Sequence, residues 1–422
     1  MAVTITTGMC GGELYPMNNQ ERKQARIARD KARKAEKRKA VIEQCGTFEN
    51  VITCQNLHRS LRKRRKNVAW KGSVQVYLAH AIVKIKRTKD DLLKGELNVN
   101  QSIKSMTIHE RGKKRYIHAI MIDSRVIQGA LCDSAITPLT QPTLIYDNPA
   151  STKGKGVTHA RNRVLRHLRR QIKETGPGSY ALLYDFSGFF DSISHRLCRE
   201  KLRSVGMDER LTDLTMYFIK MYQQQDISLV EDPVVRQRMM YELENDLACG
   251  ATLGSQISQD MALVIPNKLD HRIKDGEAVK GYMRYMDDGL ATDGEKKRLH
   301  ELQEKAIEPT CDELELRLNR KKTHIVKFTK GFVFLKIRYI VTETGKIIKN
   351  LVRSSVVRMR RRLHKFRKLV DLCKMKLDDV FNSFSSWFGN AKKYADSYWA
   401  RKAMLVLYNW LFNRYRTGGL VA

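Results

Sequence analysis

The sequence predicts an α+β fold, with short antiparallel strands in the middle of the chain and a helical, basic C-terminal region. Three observations predict it. The stretch Gly281–Leu290 sets two adjacent acids, Asp287 and Asp288, between apolar runs that read as strands, the pattern of a tight hairpin. Tyr180 to Tyr184 is another apolar strand-like run, and it ends on a third acid, Asp185. From Arg353 to about Tyr415 the spacing of apolar residues is helical.

Composition limits the function. The chain has 422 residues, enough for two or three subdomains around substantial cores. It carries 79 Lys and Arg against 45 Asp and Glu, a net charge of +34. That excess points to a polyanionic partner, either nucleic acid or an acidic membrane surface. No apolar run reaches the roughly 18 residues a bilayer span requires, and the N-terminus lacks a signal pattern. No membrane partner and a cytoplasmic location are therefore expected. The 8 cysteines include no Cys-x-x-Cys pair, so reduced thiols are expected rather than disulfides or a zinc site.

In chain order, residues 1–20 are Gly/Thr-rich and without periodicity, which predicts flexibility. Glu21 to Val41 hold ten basic and three acidic side chains among alanines, a helix with charge on nearly every face, suited to lie along RNA phosphates. Arg62–Lys66 is a second basic cluster. One amphipathic helix is expected over 73–88. Residues 103–128 read as two strands about a turn at Arg111-Gly112. Leu131 to Leu144 reads as helix then loop, and Ser151 to Ala160 as a loop entering a basic helix, Arg161 to Lys173. Glu174 to Ser179 is a turn before the Asp185 strand. Residues 194–225, 257–270 and 297–317 read as helices, the last with Leu302, Ile307, Leu314 and Leu316 as its apolar positions. An acidic surface patch is expected around Glu231–Glu244. Two strands are expected over 331–349, turning at Glu343-Thr344-Gly345. In the C-terminal helices Trp387, Tyr394, Tyr398, Trp399 and Trp410 read as core.

The acids carry the chemistry. Like charges at a hairpin tip are costly unless a cation neutralises them, and magnesium with oxygen ligands is the natural candidate. Three strand-end carboxylates from two distant segments can hold two metals about 3.5–4 Å apart, the arrangement of two-metal phosphoryl transfer.

Tyr285-Met286-Asp287-Asp288, with Asp185-Phe186-Ser187-Gly188-Phe189-Phe190 upstream, resembles the motifs of the reverse transcriptases. The resemblance extends over roughly residues 103–340. Arg115 to Leu131, with Asp123-Ser124-Arg125-Val126-Ile127-Gln128, resembles a fingers motif of bacterial and group II intron enzymes. Gly254-Ser255-Gln256-Ile257-Ser258-Gln259 resembles the loop and helix beside the templating base pair. Leu253, Ser255 and Gln259 depart there from the group II pattern Gln-Gly-Gly-x-x-Ser-Pro. Leu318 to Thr323 resembles the motif that supplies a lysine, and Gly331 to Lys336 the primer grip.

The resemblance implies a right-hand polymerase. Residues 1–70 would be a basic extension, 71–180 fingers, 181–340 an antiparallel palm, and 341–422 a helical thumb. It implies catalysis by Asp185, Asp287, Asp288 and Lys322, the lysine protonating the leaving pyrophosphate. Two Mg2+ ions, replaceable by Mn2+, would bind Asp185, the Phe186 carbonyl, Asp287 and Asp288. Lys113, Arg115, Arg125, Phe186, Phe190 and Gln256 would contact the dNTP, since guanidinium groups bind phosphate bidentately. Phe190, five residues after Asp185, would crowd a ribose 2′-OH; one of Phe189 and Phe190 is expected in the core. Phe334, Leu335 and Lys336 would grip the primer.

No endonuclease, integrase or RNase H segment is recognisable. The chain is similar to bacterial enzymes that copy a partner RNA, and resembles the defence-associated reverse transcriptases, class 2 among them. Partners would be a structured noncoding RNA, the cDNA and dNTPs. Diversity-generating retroelement and retron enzymes are the alternatives. A catalytically silent RNA-binding protein with a polymerase fold is the alternative outside enzymology.

Overall fold

The computed structural model describes residues 19–97, 103–110, 113–252 and 254–417. The Gly/Thr-rich N-terminus, the expected turn at Arg111-Gly112 and Leu253 lie outside these. The chain divides into two compact units, one of residues 1–143 with 193–264, the other of 144–192 with 265–422.

Among its described residues the first unit is helical apart from one hairpin. The basic segment is helical over Asn19–Cys45. Its C-terminal end is anchored, because Ile42 packs against Gly206 and the Gly46 carbonyl accepts from the Asp208 N–H at 2.8 Å. Cys54–Arg64 forms a helix capped by Thr53, whose side chain accepts from the Asn56 N–H. The single helix expected over 73–88 is two, Gly72–Ala79 and Ala81–Lys94, broken at His80. β1 (Ile103–Glu110) and β2 (Lys113–Ile120) pair antiparallel. The second expected strand stops there, and Ile122–Leu131 is a helix. Val126, Ile127, Ala130 and Leu131 recur at helical spacing, and all are buried. Cys54–Arg64 packs on this helix.

The expected helix 194–225 is also two, His195–Ser204 and Glu209–Ser228. Asp208 caps the second by accepting from the Leu211 N–H at 2.7 Å. The acidic patch is the exposed helix Pro233–Glu244. The helix expected over 257–270 divides into Gln256–Val264 and Asn267–His271, since Pro266 lacks the N–H that would continue it.

The second unit is built on a four-stranded antiparallel sheet, β3 (Tyr180–Asp185), β4 (Gly281–Tyr285), β5 (Asp288–Asp293) and β6 (His324–Lys327), in the order β4-β5-β3-β6. The helix Val157–Thr175 starts earlier than expected and sets Ala160, Val164 and Leu168 against Ala181, Leu183, Met283 and Leu290 of the sheet. Lys296–Leu302 packs on β3 and β5, and Leu302, Ile307, Leu314 and Leu316 are all buried, as their spacing predicts.

The two strands expected over 331–349 are three, β7 (Phe332–Phe334), β8 (Ile337–Val341) and β9 (Ile347–Leu351), because a tight turn at Leu335-Lys336 splits the first run. The basic C-terminal region forms helices Arg353–Asp371, Leu377–Tyr394 and Tyr398–Thr417. Trp387 packs beside their core of Leu363, Phe384, Tyr408 and Phe412. Tyr398, Trp399 and Trp410 do not: they are 56%, 74% and 73% exposed, which overturns their core assignment. No described helix is long and apolar enough to cross a membrane, and the seven described cysteines are reduced thiols.

Candidate active site

β4 and β5 are joined by Met286 and Asp287, with Tyr285 opposite Asp288. A two-residue hairpin matches strand twist when its first residue has positive φ. Met286 takes that conformation, at φ 56°. A residue with a Cβ holds it at a cost of order 1–3 kcal/mol, so the tip is strained.

β3 brings Asp185 directly opposite Asp288. Asp185 is 5% exposed, and its carboxyl group shares a hydrogen bond with that of Asp288. Burial, then the charges of Asp287 and Asp185, push the Asp288 carboxyl up to about 7. Lys322 Nζ donates to Asp185 Oδ2 at 2.7 Å, and Asn319 Nδ2 approaches the same oxygen at 3.4 Å. The bond to Asp185 raises the Lys322 pKa above its ordinary value, so the ammonium is charged at neutral pH.

Phe186 makes an isolated bridge to Leu318. The flanking bonds run from the Ser187 N–H to the Arg317 carbonyl (2.7 Å) and from the Asn319 N–H to the Asp185 carbonyl (2.8 Å). In such a wide pair the Phe186 carbonyl is turned away from Leu318. Three carboxylates against one ammonium leave net negative charge, which suits a divalent cation. Among the described residues no three His, Cys, Asp or Glu side chains form a group that could hold a metal ion. Mg2+ does not require three, because it binds through one or two carboxylates together with substrate phosphates.

Phe189 is 5% exposed and stacks on Phe186 with ring centroids 5.2 Å apart. Phe190 is half-buried and meets Phe189 edge-on. Of the two, Phe189 is the core aromatic.

The expected primer grip is the β7–β8 turn. Leu335 and Lys336 have φ of 47° and 64°, the paired positive values of a type I′ turn. Arg161 Nη2 fixes it by donating to the Leu335 carbonyl at 2.8 Å. Phe334 is buried beneath, and Lys336 is exposed.

Of the expected nucleotide-binding residues, Lys113, Arg115, Arg125 and Gln256 lie in the first unit, and Phe186 and Phe190 in the second. Lys113 and Arg115 stand on β2, in register with Glu110 and Ile108. Arg125 and Gln256 line one cavity of about 260 Å³ together with His118, Gln128 and Gly254. Gly254, at φ 110°, makes the expected turn before the Gln256 helix. The composition of the basic cluster does not reveal that Arg64 joins them. Its guanidinium donates to Gln256 Oε1 and lies across Gly129, where a Cβ would stand 2.5 Å from Arg64 Nε. Burial and the neighbouring Arg64 lower the Arg125 pKa. Two guanidinium groups thus stand at one cavity, and Arg64 also lies 3.7 Å from Asp133 Oδ2. Nor does the chain's pattern mark Asn319 as a partner of Asp185, although it stands in the same motif as Lys322.

An antiparallel sheet that gathers acids at a hairpin tip and an adjoining strand end, with helices packed on both faces, is the palm of a right-hand polymerase. A family model described as reverse transcriptase (RNA-dependent DNA polymerase) matches residues 102–373. The chain belongs to this family, and it is a reverse transcriptase of α+β, right-hand polymerase fold. It is similar to Protein YkfC of Escherichia coli (strain K12), 23% identical over 296 residues that cover 62% of this chain and 72% of that protein. Among solved structures it is similar to apo telomerase from Candida tropicalis (12% identity, TM-score 0.42, 82% of this chain and 63% of that one). It is also similar to telomerase from Candida albicans in complex with a fragment of telomeric RNA (11% identity, TM-score 0.38, 73% and 58%). The chain thus spans less than two thirds of the telomerase chains.

Proposed function

We propose that this reverse transcriptase copies one cognate structured noncoding RNA into cDNA by two-metal nucleotidyl transfer, as a step in antiphage defence in the bacterial cytoplasm. The observation that carries the chemistry is the meeting of Asp185 and Asp288 across β3 and β5, with Asp287 next along the chain at the hairpin tip. Asp185, Asp287, Asp288 and the Phe186 carbonyl would hold Mg2+. Bound there, the metal would activate the primer 3′-hydroxyl and neutralise the leaving pyrophosphate. Lys322, charged beside Asp185, supplies a proton donor at the same place. Arg125 and Gln256, with Lys113 and Arg115 on the neighbouring hairpin, would receive the triphosphate. Phe334, Leu335 and Lys336 would hold the primer strand.

The partner RNA is supported by the net charge of +34 and by the exposed basic helix Asn19–Cys45. The defence role is supported by the departures at Leu253, Ser255 and Gln259 from the group II pattern. Nucleic acid copurified with the protein should therefore contain one predominant RNA and cDNA mapping to it, and the gene with its native flanking DNA should lower phage plating. Substitutions concentrated at template adenines would instead indicate a diversity-generating enzyme. Protection retained without the acids would indicate an RNA-binding role.

Phe190 would select deoxynucleotides, since it is the half-exposed ring of the Phe189-Phe190 pair. Phe190→Ala is expected to raise the rNTP/dNTP incorporation ratio about tenfold or more by removing a steric clash, while dNTP use falls modestly. An unchanged ratio in competitive primer extension would return Phe190 to a packing role.

A further inference from the structure

Arg284 is first by size among the fully buried side chains of the described residues. Its neighbours Met283 and Tyr285 turn to the opposite face of β4, into the core around Leu290. Tyr282 and Arg284 share the other face. There the guanidinium meets Asp270, itself 0% exposed, with Nε to Oδ1 at 2.8 Å and Nη2 to Oδ2 at 2.7 Å. Tyr282 Oη donates to Asp270 Oδ1 at 2.7 Å, and Tyr184 Oη lies 2.6 Å from Tyr282 Oη. Behind the strand, the Arg284 N–H donates to the Asp147 carbonyl at 3.1 Å, and the Asp147 carboxylate is gripped by Arg163, His167 and Lys274.

Stability alone does not account for such a pair, because a buried ion pair is often no more stabilising than two apolar side chains of similar volume. An apolar side chain cannot, however, donate to a carbonyl at the end of its own strand. Arg284 does so: its Nη1 reaches the Met286 carbonyl at 2.8 Å, at the residue held at φ 56°. Met286 separates the buried strand from Asp287 and Asp288.

We propose that Arg284, aimed by Asp270, is a positioning residue that holds the strained Met286 turn and so fixes the direction in which Asp287 and Asp288 present their carboxylates. The inference rests on the metal-binding reading of those acids. Arg284 touches no substrate, and its effect passes through the backbone of the turn. Lysine cannot replace it, since one ammonium lacks the planar fork that spans a carboxylate and a carbonyl together.

The test is primer extension by the full chain, titrated with Mg2+ at saturating dNTP, alongside dNTP KM and thermal midpoint. Arg284→Lys is expected to raise the half-saturating Mg2+ about tenfold and to lower kcat about ten- to a hundredfold, as a displaced catalytic group does. The dNTP KM should hold. Adding Met286→Gly should bring the Mg2+ requirement back toward that of the parent, because glycine holds positive φ unaided. A merely structural arginine predicts no such rescue. An unmoved Mg2+ requirement in Arg284→Lys, or no recovery in the double variant, overturns the proposal. Should Arg284→Lys fail to fold, Arg284→Met with Asp270→Asn removes both charges and keeps an acceptor for Tyr282. A folded protein of that kind with the parent's Mg2+ dependence also overturns it. Failure of the metal reading is distinguishable, because then Asp287→Ala with Asp288→Ala would retain activity.

Discussion

Replacing Asp287 and Asp288 together with alanine is expected to reduce nucleotide incorporation on an RNA template by about a thousandfold or more. Phosphoryl transfer leaves little for a protein to do beyond positioning and charge stabilisation, and these acids supply both through the metal they would hold. Unfolding would not explain the loss. The Asp288 carboxyl is pushed up to about 7, above its unfolded value of 3.8. The folded state therefore binds the extra proton between those values, and stability falls as pH rises through about 7. At pH 8 without metal the double variant should melt no lower than the parent, because it loses the mutual repulsion of the acids. Single-turnover incorporation and a thermal melt at pH 8 check the two halves. Near-parental incorporation would remove these residues from the chemistry.

Deleting residues 1–41 is expected to have the second large effect, on RNA binding. The segment Glu21–Val41 carries ten basic side chains, exposed along one helix. Each phosphate it neutralises contributes roughly −0.7 to −0.9 to the slope of log K against log salt. If about half of them engage, the slope flattens by about four and affinity near 0.1 M salt falls at least tenfold. The cut falls just before Ile42, whose packing on Gly206 should keep the rest of the unit folded. Extension of a short primer should survive. Filter binding of a structured RNA across a salt series measures the slope, and an identical slope in the truncated chain would make the helix a solvated one.

Much of this site is legible in the order of its residues. The paired acids stand between two apolar runs that read as short strands, and Asp185 closes another, so their convergence follows from antiparallel pairing. Leu302, Ile307, Leu314 and Leu316 are legible for a similar reason, since burial follows periodicity. Arg284 is not. A charged residue inside a strand gives no local sign that a carboxylate, Asp270, waits on the next layer. Arg64 is hidden among equivalent basic neighbours, and only Gly129, across the helix pair, singles it out. Tyr398, Trp399 and Trp410 mislead in the opposite direction, because aromatic composition promises a core that the turn of the last helix leaves outside. The helix breaks at His80 and Pro266 escape notice because apolar spacing continues through the interruption.

The pairing of β3 with β5 and β6 also bears on how the enzyme comes into being. Lys322 reaches Asp185 from 137 positions along the chain, and residues 193–264 in between belong to the other unit. During synthesis the Asp185 strand emerges long before its partners exist. The first unit likewise waits for its second segment, so neither can close from the N-terminus alone. Such non-local pairing is slow, since the loop must close before any contact rewards it. A nascent chain halted before Lys322 would hold the three acids but neither the lysine nor β6. The enzyme would thus gain the full arrangement late, once β6, ending at Lys327 of the 422 residues, has been made.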